Sequence, residues 1–417
     1  MPLPRVLPFA ILALAAAPAH AQSPEALADR ALERAPVWDG HNDIPIQLRS
    51  RLLNVIADFD FRDTTESGNE QTRALHTDLQ RLRQGHVGAQ FWSVFVSADL
   101  PEPEAVQATI EQIDVTKRLI ARYPRDLALA LSAEDVARAM KAGRIASLIG
   151  MEGGHSIGSS LAVLRQMYAL GARYMTLTHS KNTSWADSAT DAPAHDGLTE
   201  FGETLVREMN RLGMLVDLSH VSEATMMDAL DATGAPVIFS HSGVRALSNH
   251  PRNVSDEVLR RLKDNGGIVM IVAYPSFINE ERRVWGAASD AELARAKTLF
   301  PGDPVAAASA FEKWKEANPE PVATIAQLAD HVDHARDVAG IDHIGIGGDY
   351  DGMATGPQGM EDVTGYPALF AELARRGYSQ SDLEKISSRN MMRVMRAAEA
   401  YAIAHRTDGA FETPVPK

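Results

Sequence analysis

The sequence predicts an α/β fold of the (β/α)8 TIM-barrel type, a single domain with long capping loops, from three observations. Eight short apolar runs recur along the chain, segments of helical periodicity separate them, and a glycine stands just before each of the last six runs. An open doubly wound sheet is the competing topology for the same alternation. The composition suits a folded chain: 45% of the 417 residues are hydrophobic and 23% charged.

The elements follow in order. Residues 1–21 carry one basic residue, Arg5, then an apolar stretch from Leu7 to Pro18, and close on Ala19-His20-Ala21. That small-x-small ending marks a cleaved signal peptide, and about 12 apolar residues are too few to span a bilayer. Residues 22–417 are then expected to form the barrel domain, exported, periplasmic or secreted, soluble after cleavage and without stable membrane insertion. The apolar runs lie at 36–38, 89–96, 145–150, 174–178, 214–218, 237–240, 267–273 and 344–347. Helical segments are expected at 161–170, 204–212, 223–230 and 256–263, and Ser132/Asp135 and Ser379/Asp382 have capping-box spacing. Gly143, Gly171, Gly213, Gly234, Gly266 and Gly340 supply the left-handed residue that ends a helix before the next strand. Two excursions, 46–82 (polar) and 276–321 (charged, helical), have the length of loops that cap an active face or build a subunit contact.

Charge and cysteine content narrow the chemistry. Lys and Arg number 41 against 55 Asp and Glu, a formal charge of −14, which leaves no electrostatic footprint for nucleic acid. With no cysteine there is no disulfide framework, thiolate metal site or cysteine nucleophile, so the 14 histidines carry any soft-metal chemistry.

A barrel keeps its chemistry at the C-terminal ends of its strands. Six of the eight expected ends carry His, Asp or Glu: Asp39-Gly40-His41-Asn42-Asp43, Met151-Glu152-Gly153-Gly154-His155, Thr178-His179-Ser180, Ser219-His220, Ser240-His241-Ser242 and Gly348-Asp349-Tyr350-Asp351-Gly352. His41 and Asp43 fall on one side of an extended chain. Imidazoles and carboxylates projected into one bowl make a ligand set for zinc or a similar divalent ion, and without a cation the carboxylates would repel in a confined space.

Other readings compete. Gly154-His155-Ser156-Ile157-Gly158 matches the nucleophile elbow of serine hydrolases, so Ser156 is a rival nucleophile. His331 and His334 share one helical face but sit far from the strand tips, and are read as structural. Tyr274, just past the seventh run, faces the bowl or packs beside it.

Together the segments Asp39-Gly-His-Asn-Asp, Gly150-Met-Glu-Gly-Gly-His, Leu177-Thr-His-Ser-Lys-Asn, Asp217-Leu-Ser-His-Val-Ser, Phe239-Ser-His-Ser and Gly347-Gly-Asp-Tyr-Asp-Gly resemble the renal (membrane) dipeptidase family, from about Val37 to Met395. The resemblance implies two zinc ions per chain: His41 and Asp43 on one, His220 and His241 on the other, Glu152 bridging both. It further implies His179 as the residue that polarises the substrate, Arg252 as a clamp for the substrate carboxylate, and Asp349 as the acid/base, chosen over Asp351 because it is nearer the strand end. The expected activity is hydrolysis of dipeptides, including those with a C-terminal D-residue, by a hydroxide bridging the metals. Expected partners are small dipeptides and a second copy in a homodimer. Another binuclear amidohydrolase (amidase, lactonase or deaminase) on the same barrel stays open as an alternative.

Overall fold

The structure, a computed structural model, describes residues 23–68 and 73–412; the expected signal peptide lies outside them. Nine parallel strands form one sheet: β1 (Val37–Asn42), β2 (Val87–Phe95), β3 (Leu127–Leu129), β4 (Ile145–Glu152), β5 (Ala172–Thr176), β6 (Leu215–Asp217), β7 (Ile238–Ser242), β8 (Ile268–Val272) and β9 (Ile344–Gly347). Their order is β2-β1-β9-β8-β7-β6-β5-β4-β3, and β2 also pairs with β4. That last pairing, Ala89 to Phe95 against Ala146 to Glu152, closes eight strands into a barrel and settles the topology against an open sheet. All eight expected apolar runs became barrel strands. The ninth strand, β3, is too short for its own apolar run; it pairs with Ile145 to Ser147 of β4 below the point where β5 joins that strand.

The helices begin and end where the sequence marks them. The helix Leu161–Leu170 runs from Ser160, whose hydroxyl accepts from the Val163 N–H, to Gly171 at φ +116°. Five of the six stop glycines have positive φ, but Gly234 does not. There the helix Glu223–Ala232 ends on an extended Thr233. Gly234 answers to packing instead, because an added Cβ would sit 2.5 Å from the Tyr401 hydroxyl. The excursion at 276–321 is helical as expected (Glu280–Leu299 and Pro304–Ala317), and the one at 46–82 opens within the helix Ile44–Leu52.

Two apolar layers hold this frame. Trp38, Phe91, Leu148, Leu215, Ile238 and Met270 belong to one cluster, joined by Met391, Val394 and Met395 of the C-terminal helix Asn390–Ala404. A larger cluster packs helices such as Pro24–Arg34 around the strands. These buried side chains hold the strand ends, and everything that projects from them, in fixed positions.

Candidate metal centre

His41 and Asp43 reach the same place by a route the alternation of an extended chain does not describe. β1 has a bulge: Asp39 pairs with Gln90 and Asn42 with Trp92, three steps against two. A bulge breaks strict alternation and re-aims a side chain, here the His41 ring. Asp43 lies beyond the strand, at the N-cap position of the helix Ile44–Leu52 (φ −97°, ψ 21°), and makes no capping hydrogen bond, so its carboxylate stays available. β7 repeats the device, with Phe239 opposite Val269 and Ser242 opposite Ile271, and its bulge contains His241. His220 (φ +72°), Asp349 (φ +60°) and Asp351 (φ +70°) hold left-handed backbone without being glycine, the local strain that clusters at functional sites.

Glu152 is the hub. Its Oε2 lies 3.4 Å from His41 Nε2 and accepts from the Ser93 hydroxyl at 2.9 Å. Its Oε1 lies 3.0 Å from His220 Nε2, 3.6 Å from His241 Nε2 and 3.7 Å from His179 Nε2. The two carboxylate oxygens thus face different rings, Oε2 that of His41 and Oε1 those of His220, His241 and His179. His41 Nε2 is also 3.4 Å from Asp43 Oδ2, and the His220 and His241 Nε2 atoms are 3.0 Å apart. Ligand atoms of His41, Glu152 and His241, of Glu152, His179 and His220, and of His41, Asp43 and Asp349 each fall within 4.8 Å of one another. His41 Nε2 is buried without a hydrogen-bond partner. Four imidazole nitrogens around a shared carboxylate, one of them orphaned, with the Asp43 carboxylate beside His41, fit a pair of divalent cations.

Gly352 closes the site. An added Cβ there would lie 2.6 Å from Asp349 Oδ1 and collide with the Asp43 carboxylate as well. Asp351 lines the same cavity, but its Oδ1 accepts from the His76 N–H at 2.8 Å and from Arg73 at 3.4 Å, so Asp349 is the carboxyl that joins His41 and Asp43.

Electrostatics separates the titratable groups. Burial opposes ionisation of Glu152, but His41, His220 and His179 hold its carboxyl well below the usual range. Burial, and then the neighbouring Asp43, push Asp349 well above it. Burial brings His179 down to about 4 and Arg252 to about 10. A ring that is neutral at neutral pH, beside a carboxylate hub, is a hydrogen-bond donor, and a carboxyl whose proton affinity is raised is suited to carry a proton.

The cavity holding these groups measures about 400 Å³, and Phe95, Tyr274 and Phe277 complete its wall. Tyr274 stacks on Phe277, with ring centroids 4.5 Å apart. Arg252 also lines the cavity, only 3% exposed, with its Nε and Nη1 unpartnered and its Nη2 2.9 Å from His241 Nε2. A larger cleft of about 950 Å³ lies beside the bowl and shares Gln47 with it, but no histidine lines it.

The rival nucleophile is out of reach. Ser156 is fully buried and its hydroxyl has no hydrogen-bond partner, while His155 turns to the Val96 carbonyl. His331 and His334 are structural: His331 Nδ1 accepts from the Val244 N–H, and His334 pairs with Asp256. Phe95, Phe277 and Gln47 were not found from the sequence, because nothing in their local pattern separates them from packing residues.

The chain matches a family model described as membrane dipeptidase, peptidase family M19, over residues 25–408. It is 42% identical over 386 residues to dipeptidase 3 of Macaca fascicularis, covering 91% of this chain and 69% of that protein. Among solved structures it is similar to the probable dipeptidase PvdM from Pseudomonas aeruginosa, with TM-score 0.76 and 26% identity, covering 91% of this chain and 99% of that one. A metallopeptidase from Rhodobacter sphaeroides, liganded with a phosphinate mimic of L-Ala-D-Ala, shares the fold at TM-score 0.70 and 23% identity, over 87% of this chain and 99% of that one.

Proposed function

This chain belongs to the membrane dipeptidase family, a family of metallopeptidases, and we propose that it is a zinc-dependent dipeptidase that holds two zinc ions on His41, Asp43, Glu152, His220 and His241. The observation that carries the proposal is the split of the Glu152 carboxylate between the His41 ring on Oε2 and the other rings on Oε1, with Asp349, His179 and Arg252 on the same cavity. Two such ions, when bound, supply an activated water and polarise the scissile carbonyl.

The remaining steps belong to the protein. Asp349, beside Asp43 and His41, takes the proton of the attacking water and delivers it to the departing amine, which leaves poorly without one. His179 has a buried Nδ1 with no partner, so its proton is best kept on Nε2, from which it donates to the developing oxyanion. Arg252 is a buried guanidinium with two unused donor positions. That is an arrangement that calls for an anion, and the free carboxylate of a dipeptide fits its planar fork. A clamp one residue beyond the cut favours dipeptides over longer chains. Tyr274 and Phe277 form the adjoining wall against the C-terminal residue. The resemblance to the family supports tolerance of a D-residue there and assembly as a homodimer, and the apolar stretch ending in Ala19-His20-Ala21 supports export after loss of residues 1–21. No helix among the described residues is long and apolar enough to cross a membrane.

The test is amine release from L-Ala-D-Ala by zinc-loaded protein lacking residues 1–21. Turnover that a chelator abolishes and zinc restores is expected. Two bound zinc ions with no cleavage across a broad panel of dipeptides would refute the dipeptidase reading and leave another amidohydrolase reaction for this barrel.

A further inference from the structure

Behind His241 lies a hydrogen-bond chain whose direction can be worked out atom by atom. Arginine only donates, so the 2.9 Å contact from Arg252 Nη2 makes His241 Nε2 an acceptor. The ring proton of a neutral His241 therefore sits on Nδ1. Nδ1 lies 2.8 Å from the Ser240 hydroxyl, which must accept from it. Ser240 then gives its own proton to Asp217 Oδ2 at 2.6 Å, in preference to Ser219 at 3.5 Å. Asp217 is fully buried and acts purely as an acceptor. Its Oδ2 also takes the Thr176 hydroxyl at 2.6 Å, and its Oδ1 takes the backbone N–H groups of Ser240 at 2.9 Å and Ser219 at 3.1 Å.

We propose that Asp217 and Ser240 are positioning residues that set the tautomer of His241, so that its Nε2 presents a lone pair to the bowl. The inference rests on the reading of His241 as a metal ligand. A ligand histidine works only with an unprotonated coordinating nitrogen, and the partner of its other nitrogen decides which one that is. β6 and β7 supply the relay from side chains that face the barrel interior, out of reach of substrate.

The consequence is specific to one substitution. In Asp217→Asn the two backbone N–H donors keep the amide oxygen at the Oδ1 position, so the NH2 group replaces Oδ2. That group donates to Ser240, whose hydroxyl proton then turns to His241 Nδ1 and forces the ring proton onto Nε2. The substitution inverts the relay. Ser240→Ala only removes it.

The experiment reads the ring nitrogens directly. In 15N-histidine-labelled protein, long-range proton–nitrogen correlation should show His241 as the Nδ1–H tautomer in the wild type and as Nε2–H in Asp217→Asn. Zinc affinity, by competition with a chromophoric chelator, should fall 10- to 100-fold in Asp217→Asn. It should fall less in Ser240→Ala, which also carries the test should the Asn variant not fold. An unchanged His241 tautomer in Asp217→Asn, or zinc affinity within threefold of wild type in both variants, overturns the proposal. Wild-type protein that binds two zinc ions but cleaves no dipeptide would sink the proposed function and leave the relay standing.

Discussion

Gly352→Ala is the sharpest probe of the proposed site, because the atoms nearest to the added Cβ belong to the carboxylates of Asp43 and Asp349. Its Cβ would stand 2.6 Å from Asp349 Oδ1 and press on Asp43 too. Carbon and oxygen need about 3.2 Å, so one or both carboxylates must withdraw by at least roughly half an ångström. Displacements of about 1 Å at a reacting group cost on the order of 100-fold in rate, or about 2.7 kcal/mol of transition-state stabilisation. We therefore expect kcat/KM for a dipeptide to fall about 100-fold, with one zinc held more weakly and the melting temperature within a few degrees of wild type. Gly286→Ala is the control: it lies in the helix Glu280–Leu299 with nothing within 4 Å of the new Cβ, and should leave turnover untouched. Gly352→Ala protein with full zinc occupancy and kcat/KM within threefold of wild type would refute the placement of Asp43 and Asp349 in the reaction.

Three further outcomes are expected. Asp349→Asn should retain both zinc ions, measured by elemental analysis, and lose about 10²- to 10⁴-fold in kcat, and retained turnover would remove it as the proton carrier. Arg252→Ala should act mainly on KM for dipeptides, and an unchanged KM would take it out of the carboxylate site. Burial holds His331 at about 4 against the ordinary 6.5, so the folded protein refuses a proton that the unfolded chain accepts. The stability this contributes is complete above about pH 6.5 and is lost as the pH falls towards 4, by up to about 3 kcal/mol. Urea unfolding at pH 7 and 4.5 should show a smaller acid loss in His331→Gln than in wild type, and parallel losses would count against it.

The apolar runs, the stop glycines and the acidic or imidazole residues at the strand ends are local patterns. They were enough to anticipate the eight barrel strands, the helix Leu161–Leu170 to the residue, and a bowl containing His41, Glu152, His220, His241 and Asp349. Spacing also suggested that His41 and Asp43 work together, although for a different reason from the one the structure supplies. Tertiary structure alone decided the rest. The bulges that turn His41 and His241 inward arise from mismatched register between strands far apart in the chain. The pairing of β2 with β4 decided closure, and the short β3 exists only because β4 offers it an edge. Asp217, Ser240 and Tyr174, which reaches His41 Nδ1 at 2.9 Å, look like ordinary strand residues until the barrel brings them behind His241 and His41. Periodicity records which face of an element is buried; which atom lies across from it depends on pairings and register, and those are fixed only when the barrel closes.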